Sequence, residues 1–436
     1  MTNLRRWIIG TGAVLLTALS MPVAATFVIA PAQGQDVTAP PRSGVVQKKP
    51  AQPRGKTAPA QPPATTTAQP HQLPARTPFT AADEVAATIP GIPDARFWAD
   101  SIADFNNALP PQPGPWLALS SGGSDGAFGA GLMNGLAASG RRLDYSVITG
   151  VSAGALMAPF IFAGSKYDDQ LRDVFTKITA ADVFEAGSTG ESFVDTWPLK
   201  DLVAKMITPA VLADVATAHR SGRRLFVLTT DLDAERSVVW NMGAIAAHSG
   251  DDALELFRTV LLASSAIPGA FPPVRIGVEA NGKRFEEMHV DGGVGGQFFV
   301  APLAMTAATS DDRLPATAFY VVANTGLQPD FQVVERSTPM ILAQAVGTAV
   351  KNDTRLMMDR IYLAAKRMDV PFNVATIPPD FSAVSRGAFD PKYMTALFQA
   401  GYDLGKSAAP FRAEPPPYPA PPMLQPSDPP KAGASR

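Results

Sequence analysis

Short apolar runs alternate with amphipathic stretches along most of this chain of 436 residues. The runs have the length and the β-branched content of strands and predict strands at 115–120, 144–149, 223–230, 236–242 and 316–323. Apolar residues at helical spacing predict helices at 127–139, 152–164, 198–219, 251–264, 338–368 and 390–406. Because strands and helices alternate, the pattern favours an α/β fold, a three-layer α/β/α sandwich with a mainly parallel central sheet.

Two short signals refine this layout. Asn281-Gly282 stands between two strand-like runs and predicts a two-residue hairpin turn. Thr338-Pro339 has the order of a cap followed by proline that is typical of a helix start. In a parallel α/β sheet, ligands bind at the carboxyl ends of the strands, so chemistry is expected in the loops that follow Ser120 and Thr149.

The first 32 residues have the features of an export signal. Arg5 and Arg6 precede a long apolar run, and the small residues at 23–25 offer a cleavage site. The run is also long enough to cross a bilayer if it is never cut. Residues 1–32 are therefore interpreted as a signal peptide or an N-terminal anchor, and the protein is expected in the periplasm, in the outer envelope or outside the cell.

Two further segments have compositions that do not support a packed core. Residues 33–80 are rich in Pro, Ala and Thr and predict a disordered linker. Residues 413–436 are rich in proline and predict a disordered tail. One globular domain, residues 81–412, remains between them.

The composition excludes several kinds of chemistry. The chain has no cysteine, which excludes disulfides, thiolate metal sites and cysteine nucleophiles. Its formal net charge of -2 gives no electrostatic reason to expect nucleic acid as a partner. No His-Glu-x-x-His motif is present, and the acidic turn at 231–235 is followed by Arg236 where a calcium loop needs glycine. The sequence therefore predicts neither a metal nor a cofactor.

A candidate nucleophile follows the second strand-like run. Gly150-Val151-Ser152-Ala153-Gly154 has the pattern Gly-x-Ser-x-Gly, with a β-branched run before it and an alanine-rich helical stretch after it. That context is the strand, sharp turn and helix of a nucleophile elbow, in which flanking glycines relieve crowding around the serine. The alternative is a serine that only caps the helix.

A serine nucleophile needs a base, and two candidates stand close together in the sequence. His289 follows Ser152 in the chain order of the α/β-hydrolase triad, and it is a better candidate than His219 or His248, which have surface or loop contexts. Asp291 ends a strand-like run and is followed by Gly292 and Gly293. An Asp-Gly pair is also a common turn, so the residues alone leave the base open.

Three motifs in this order resemble the patatin-like phospholipase family. SSGGSDGAFGAG at 120–131 is similar to the family's glycine-rich oxyanion loop, GVSAGA at 150–155 to its nucleophile elbow, and VDGGV at 290–294 to its Asp-Gly motif. LASSAIPGAFPPV at 262–274 also resembles a segment found before the aspartate in bacterial members. The likeness spans about residues 114–300.

The resemblance implies a Ser-Asp dyad without histidine, with Ser152 as nucleophile and Asp291 as base. It also implies that backbone N–H groups around Gly122, Gly123 and Ser124 stabilise the tetrahedral oxyanion of acyl transfer. The expected substrate is a lipid or phospholipid at a membrane surface, and the expected activity is that of a phospholipase A or lipase.

The glycine loop departs from the family pattern at two positions. Ser121 replaces the first glycine of the usual triple, and Asp125 stands where Arg or Lys is usual. A carboxylate near the oxyanion opposes it unless the carboxylate points away or pairs with a cation. Two alternatives therefore stay open: an esterase or thioesterase of short acyl groups on the same site, and a lipid-binding protein whose catalysis has decayed.

We predict that export removes the signal, so that the mature chain begins between Thr26 and Asp36. N-terminal sequencing of protein purified from cells measures this directly. An intact Met1 or Thr2 in a membrane fraction would show instead that the segment is an uncleaved anchor.

Overall fold

The computed structural model of the protein describes residues 75–187, 190–329, 331 and 333–418. The segment interpreted as a signal peptide or anchor lies outside these residues, as do most of the segments interpreted as linker and tail.

Contacts with the domain extend a few residues beyond the boundaries that composition predicts. In the segment read as linker, the Arg76 guanidinium donates a hydrogen bond of 2.9 Å to the Asp233 carboxylate, and the Phe79 ring stacks on another ring of the domain at 4.4 Å. In the segment read as tail, the Tyr418 hydroxyl donates to Asp359. The packed unit therefore includes residues on both sides of 81–412.

The described residues contain eleven helices and eleven strands. The helices are α1 Ala81–Ala86, α2 Ile102–Ala108, α3 Gly126–Ala138, α4 Ala153–Ala163, α5 Asp168–Lys177, α6 Trp197–Met206, α7 Pro209–Arg220, α8 Met242–His248, α9 Asp251–Ser264, α10 Thr338–Met368 and α11 Pro391–Lys406. The strands are β1 Arg96–Trp98, β2 Gly114–Leu119, β3 Val147–Val151, β4 Glu185–Ala186, β5 Val194–Asp195, β6 Arg224–Asp231, β7 Arg236–Asn241, β8 Val274–Ala280, β9 Lys283–Asp291, β10 Ala316–Ala323 and β11 Phe372–Thr376.

Nine of these strands form one sheet, whose centre is parallel. Its main path runs β1-β7-β6-β3-β2-β10-β11, and the five strands from β6 to β11 along that path pair in parallel. The pairings of β7, β1 and the β8-β9 hairpin are antiparallel. The predicted mainly parallel sheet is confirmed.

Apolar residues cover both faces of this sheet. On β3, Val147 and Val151 belong to one buried cluster and Ile148 to another, because successive residues of a strand point to opposite faces. Helices α3, α4, α7, α9 and α11 contribute to the cluster that contains Ile148, and α2 and α10 contribute to the cluster that contains Val147 and Val151. A strand with apolar residues on both sides is typical of a sheet between two layers of helices, so the predicted sandwich is confirmed.

Strands β3 and β9 share one edge of β6, and this positions the site described below. β3 pairs with the first part of β6, up to Val151 opposite Leu228. β9 pairs with the last part, beginning with Asp291 opposite Thr229. Because Leu228 and Thr229 are neighbours in the chain, the end of β3 and the end of β9 meet head to head.

Two local predictions have different outcomes. The hairpin at Asn281-Gly282 is confirmed: both residues have positive φ, 53° and 74°, as the favoured two-residue turn requires. The single helix predicted at 198–219 is wrong, because α6 and α7 are separate helices. Thr208 caps α7 by accepting a hydrogen bond from the Val211 N–H, and Pro209 lacks the N–H that a continuous helix needs.

Helices α3 and α11 approach each other through four glycines. Gly131 and Gly135 on α3 face Gly401 and Gly405 on α11, and a Cβ built on any of them would overlap backbone atoms of the opposite helix. Glycines spaced by four residues lie on one side of a helix, so this pair of helices packs backbone against backbone.

We predict that Gly131→Ala lowers the free energy of unfolding by about 1–3 kcal/mol, because overpacking forces the two helices apart. Chemical denaturation measures the difference. The matched control is Gly347→Ala on an exposed turn of α10, where a Cβ meets nothing within 4 Å and helix propensity favours alanine by up to about 1 kcal/mol. Equal stability of the two variants would contradict close packing between α3 and α11.

Candidate active site

Ser152 occupies a strained turn between β3 and α4. Its backbone has φ 53° and ψ -118°, a region that residues other than glycine rarely adopt. Its N–H donates to the Ser264 hydroxyl at 3.0 Å, and its side chain makes no capping hydrogen bond to α4. The geometry is that of an elbow that presents the serine side chain, and not that of a serine capping a helix.

The two glycines that flank Ser152 are sterically required. A Cβ on Gly150 would lie 2.5 Å from the Gly154 carbonyl oxygen, and a Cβ on Gly154 would lie 2.7 Å from the Ser120 carbonyl oxygen. Both distances are shorter than any ordinary contact. Glycine at 150 therefore lets the turn close on itself, and glycine at 154 lets the turn approach the end of β2.

Asp291 lies at the end of β9, directly opposite the elbow. Its Oδ2 accepts a hydrogen bond of 2.6 Å from Ser152 Oγ, and its Oδ1 accepts one of 2.7 Å from the Gly293 N–H. A Cβ on Gly292 would overlap the Leu228 carbonyl oxygen, so glycine lets the turn pass close to β6. One carboxylate oxygen is thus held by the backbone and the other faces the serine.

Burial of Asp291 shifts the pKa of its carboxyl group toward neutral pH. Burial raises its pKa to about 6, while the hydrogen bonds from the Ser152 hydroxyl and the Gly293 N–H oppose that rise. The carboxyl group is therefore ionised above a pH of about 6 and protonated below it. A base with a pKa slightly below the working pH is both ionised and basic enough to accept a proton.

His289 lies two residues before Asp291 but has other partners. Its Nδ1 lies 3.0 Å from the Thr229 hydroxyl and its Nε2 lies 3.2 Å from Glu287. The Trp240 indole N–H donates to the same Thr229 oxygen, so Trp240, Thr229, His289 and Glu287 form one buried hydrogen-bonded chain. With both ring nitrogens occupied, His289 is not placed to accept the proton of Ser152.

A group of potential metal ligands surrounds this histidine. Asp231, Glu287 and His289 are all buried, and their ligand atoms lie within 4.8 Å of one another. The Arg96 guanidinium, however, donates to both carboxylate oxygens of Glu287, and both nitrogens of His289 are engaged. We therefore assign this cluster to the framework beneath Asp291.

The glycine loop follows β2, beside β3 in the sheet. Gly123 has φ 53° and lines the same cavity as Ser152. It begins a short 3-10 turn with Ser124, and the first N–H groups of such a turn have no acceptor within it. Gly122 is pressed against Asn324, where a Cβ would lie 2.6 Å from the Asn324 Cβ.

Ser121 and Asp125, the two residues at which the glycine loop departs from the family pattern, both make side-chain hydrogen bonds. The Ser121 hydroxyl donates to the side-chain oxygen of Gln297, whose Nε2 donates to the Gly293 carbonyl at 2.8 Å. Ser121 therefore ties the glycine loop to the turn that holds Asp291. The Asp125 carboxylate accepts a hydrogen bond of 2.8 Å from the Tyr393 hydroxyl on α11.

Two positioning residues were missed by sequence reasoning. Asn324 donates through Nδ2 to the Ser120 carbonyl at 2.9 Å and accepts from the Gly129 N–H at 3.1 Å. Ser264 accepts from the Ser152 N–H and donates to the Leu228 carbonyl at 2.7 Å. The position of Asn324 directly after β10, at the carboxyl edge of the sheet, was a signal that could have revealed it.

An apolar cavity opens beside Ser152. Its walls come mainly from aliphatic, aromatic and methionine side chains of α4, α5, α6 and the segment after α9, among them Leu156, Phe175, Leu202 and Phe271. Its free volume is about 40 Å³, enough for a few water molecules. A longer apolar group therefore enters only when lining side chains move.

Comparison with known proteins places this domain. Residues 117–304 match the family model described as patatin-like phospholipase. Residues 117–304 therefore carry a patatin-like phospholipase domain. The match supports lipid acyl hydrolase activity in general terms, and the matched residues include the glycine loop, the elbow and the Asp-Gly turn.

Other comparisons add little to the assignment of this patatin-like domain. The solved structures similar to it include VipD from Legionella pneumophila, at 10% identity and a TM-score of 0.34, with 68% of this chain and 66% of that chain covered. A likeness of this size carries no functional argument. No curated protein matches the sequence.

We predict that Asp291→Asn lowers kcat by about 10²–10⁴-fold, because the amide cannot accept the proton of Ser152. Steady-state kinetics on an activated ester measure the change. His289→Gln is the matched control, since it alters a buried neighbour on the same strand, and it should cost tenfold or less. Equal losses in both variants would make Asp291 the orienting acid of a triad.

The pH dependence of kcat/KM also tests whether Asp291 is the base. Since Asp291 must be ionised to accept a proton, kcat/KM should fall as the pH drops through about 6. This value is close to the reference pKa of histidine, about 6.5. The fall in kcat/KM at low pH therefore does not by itself distinguish Asp291 from His289 as the base. If His289→Gln leaves this fall unchanged, the titrating group is not the histidine.

Proposed function

We propose that the protein is a serine lipid acyl hydrolase, of the phospholipase A or lipase type, that cleaves carboxylic esters with a Ser152-Asp291 dyad. The observation that carries the proposal is the 2.6 Å hydrogen bond from Ser152 Oγ to Asp291 Oδ2, made at a strained elbow beside an apolar cavity. The patatin-like phospholipase domain at residues 117–304 supports the same class of reaction.

In the proposed first half-reaction, Ser152 Oγ attacks the ester carbonyl carbon as its proton passes to Asp291 Oδ2. The carbonyl oxygen becomes an oxyanion, and N–H groups of Gly122, Gly123 and Ser124 donate to it. A well-placed donor of this kind contributes roughly 3–4 kcal/mol. The carbon–oxygen bond to the alcohol then breaks, and the leaving oxygen takes the proton from Asp291.

The second half-reaction releases the acyl group from Ser152. Asp291 accepts a proton from water, whose oxygen attacks the acyl carbon, and the same donors stabilise the second oxyanion. When the bond to Ser152 Oγ breaks, the serine takes the proton back from Asp291. The products are a fatty acid and the free enzyme, so the dyad alone supplies the proton acceptor in both steps.

The cavity beside Ser152 supports an apolar acyl group as the part of the substrate that is bound. Of the residues that line it, Ser152 and Ser265 are the ones with polar side chains, so the rest of the wall cannot hydrogen-bond a polar substrate. A lipid ester at a membrane surface fits this distribution. The export features of residues 1–32 further support action in the periplasm or the outer envelope.

One observation favours a second candidate, an esterase or thioesterase of short acyl groups. The free volume of about 40 Å³ suits a short chain without rearrangement. The third candidate, a decayed enzyme, is less favoured, since hydrogen bonds hold both Ser121 and Asp125 in place in the glycine loop.

We predict that Ser152→Ala abolishes both ester hydrolysis and labelling by a fluorophosphonate probe, because only an activated serine reacts with the probe. The matched control, Ser165→Ala at an exposed position, should keep both. Labelling that persists at another serine in the Ser152→Ala protein would contradict the proposed nucleophile. With wild-type protein, rates on esters of four to sixteen carbons separate the lipase from the short-chain esterase.

A further inference from the structure

The first three turns of α10 project from the domain. We call residues 338–350 the α10 tip. Within it, Met340, Ile341, Leu342 and Val346 are 46%, 56%, 43% and 42% exposed, and no described side chain of the tip is buried. The later turns of the same helix pack against the sheet through buried residues.

The α10 tip is uncharged and mostly apolar, with Thr338, Gln344 and Thr348 as its polar residues. Its sequence, TPMILAQAVGTAV, contains no charged residue, and at 1.5 Å per residue it is about 20 Å long. Apolar helical stretches of this length occur in protein cores or at membrane interfaces. Exposure excludes the core. Among the described residues no single helix is long and apolar enough to cross a membrane, so a position on the surface of the bilayer remains.

The tip stands beside the wall of the acyl cavity. A Cβ on Gly269 would lie 3.9 Å from a methyl group of Leu342. Ile267 and Phe271, two residues before and after Gly269, line the cavity at Ser152. The Gly269 carbonyl also accepts a hydrogen bond of 2.9 Å from the N–H of Phe193, whose ring is 54% exposed. Two residues with exposed apolar side chains, Leu342 and Phe193, thus lie next to Gly269 in one cavity-lining loop.

We propose that the α10 tip docks the protein on a lipid bilayer, with Met340, Ile341, Leu342 and Val346 inserted among the acyl chains. The proposal rests on the proposed function, because it places the docking surface next to the cavity that receives an acyl group. A lipid leaving the bilayer beside Leu342 meets the loop at Gly269 before it meets bulk water.

The dimensions of the tip favour a bilayer over a second copy of the chain. A helix about 20 Å long and about 10 Å wide presents roughly 200 Å² on one side, whereas a stable protein interface buries about 800 Å² on each partner. The tip also offers few polar groups that could specify a protein partner. A bilayer demands neither a large complementary area nor specific hydrogen bonds.

Because the chain has no cysteine, a single introduced thiol reports on one position. We would label Ile341→Cys in the full-length protein with an environment-sensitive fluorophore and add vesicles of neutral phosphatidylcholine. The emission at position 341 should shift to the blue, equally at low and high salt, since the tip carries no charge. Leu363→Cys, 59% exposed on the same helix, should not respond. Vesicle binding without a shift at 341 would overturn the proposal.

Hydrolysis rates of vesicle and soluble substrates test the docking proposal in a second way. Met340→Gln, Ile341→Gln and Leu342→Gln together should lower hydrolysis of vesicle phosphatidylcholine at least tenfold and leave hydrolysis of a soluble short-chain ester within twofold. The matched control combines Leu356→Gln and Leu363→Gln, both at exposed positions of α10, and should retain both activities. Unchanged vesicle hydrolysis in the tip variant would contradict docking through the tip.

The two proposals fail in different ways. Absence of any ester hydrolysis by the wild-type protein would overturn the proposed function, while the label at 341 still tests docking without catalysis. Light scattering tests a second copy as the occupant. A wild-type dimer that becomes monomeric in the tip variant, together with no response of the label to vesicles, would assign the tip to self-association and overturn the bilayer proposal.

Discussion

The site depends on one edge of β6 that is shared by two strands. β3 uses the first part of that edge and β9 the last part, so Val151 and Asp291 face neighbouring residues, Leu228 and Thr229. This pairing brings Ser152, directly after Val151, within hydrogen-bond distance of Asp291, although the two residues are 139 positions apart in the chain. It also explains the crowding at Gly292, which must pass the Leu228 carbonyl where the two strand ends meet.

Burial supplies the electrostatics of this pair, and hydrogen bonds supply its geometry. Removal from water raises the pKa of Asp291 to about 6, and the Gly293 N–H holds one oxygen so that the other faces Ser152. Gln297 connects that turn to the glycine loop through Ser121 and Gly293. The proposed base and the proposed oxyanion donors are therefore held in one framework, as preorganised charge stabilisation requires.

Apolar side chains in this domain are found in the core, in the wall of the cavity and on the exposed α10 tip. Most of their surface packs against the two faces of the sheet, where close contact stabilises the fold. A smaller part lines the cavity beside Ser152. Another part is exposed to water on the α10 tip. Apolar area that is left in contact with water has a free-energy cost that binding can recover, and its position next to the cavity connects the exposed surface to the proposed chemistry.

Local pattern was sufficient for strands β2, β3, β6, β7 and β10, for the hairpin at Asn281-Gly282, for the elbow glycines and for helices α3, α4, α9, α10 and α11, because those features follow from spacing and backbone conformation within a few residues. It did not reveal the short strands β1, β4, β5 and β11 or the helices α1, α2, α5 and α8. The break between α6 and α7 at Thr208-Pro209 also has a local sequence signal, but the longer apolar pattern around it led to the prediction of a single helix. The partners of Ser121 and Asp125, the role of Asn324, the raised pKa of Asp291 and the engagement of both nitrogens of His289 could not be derived this way. Each depends on residues that are distant in the chain and on exclusion of water, and both are properties that only the packed tertiary structure decides.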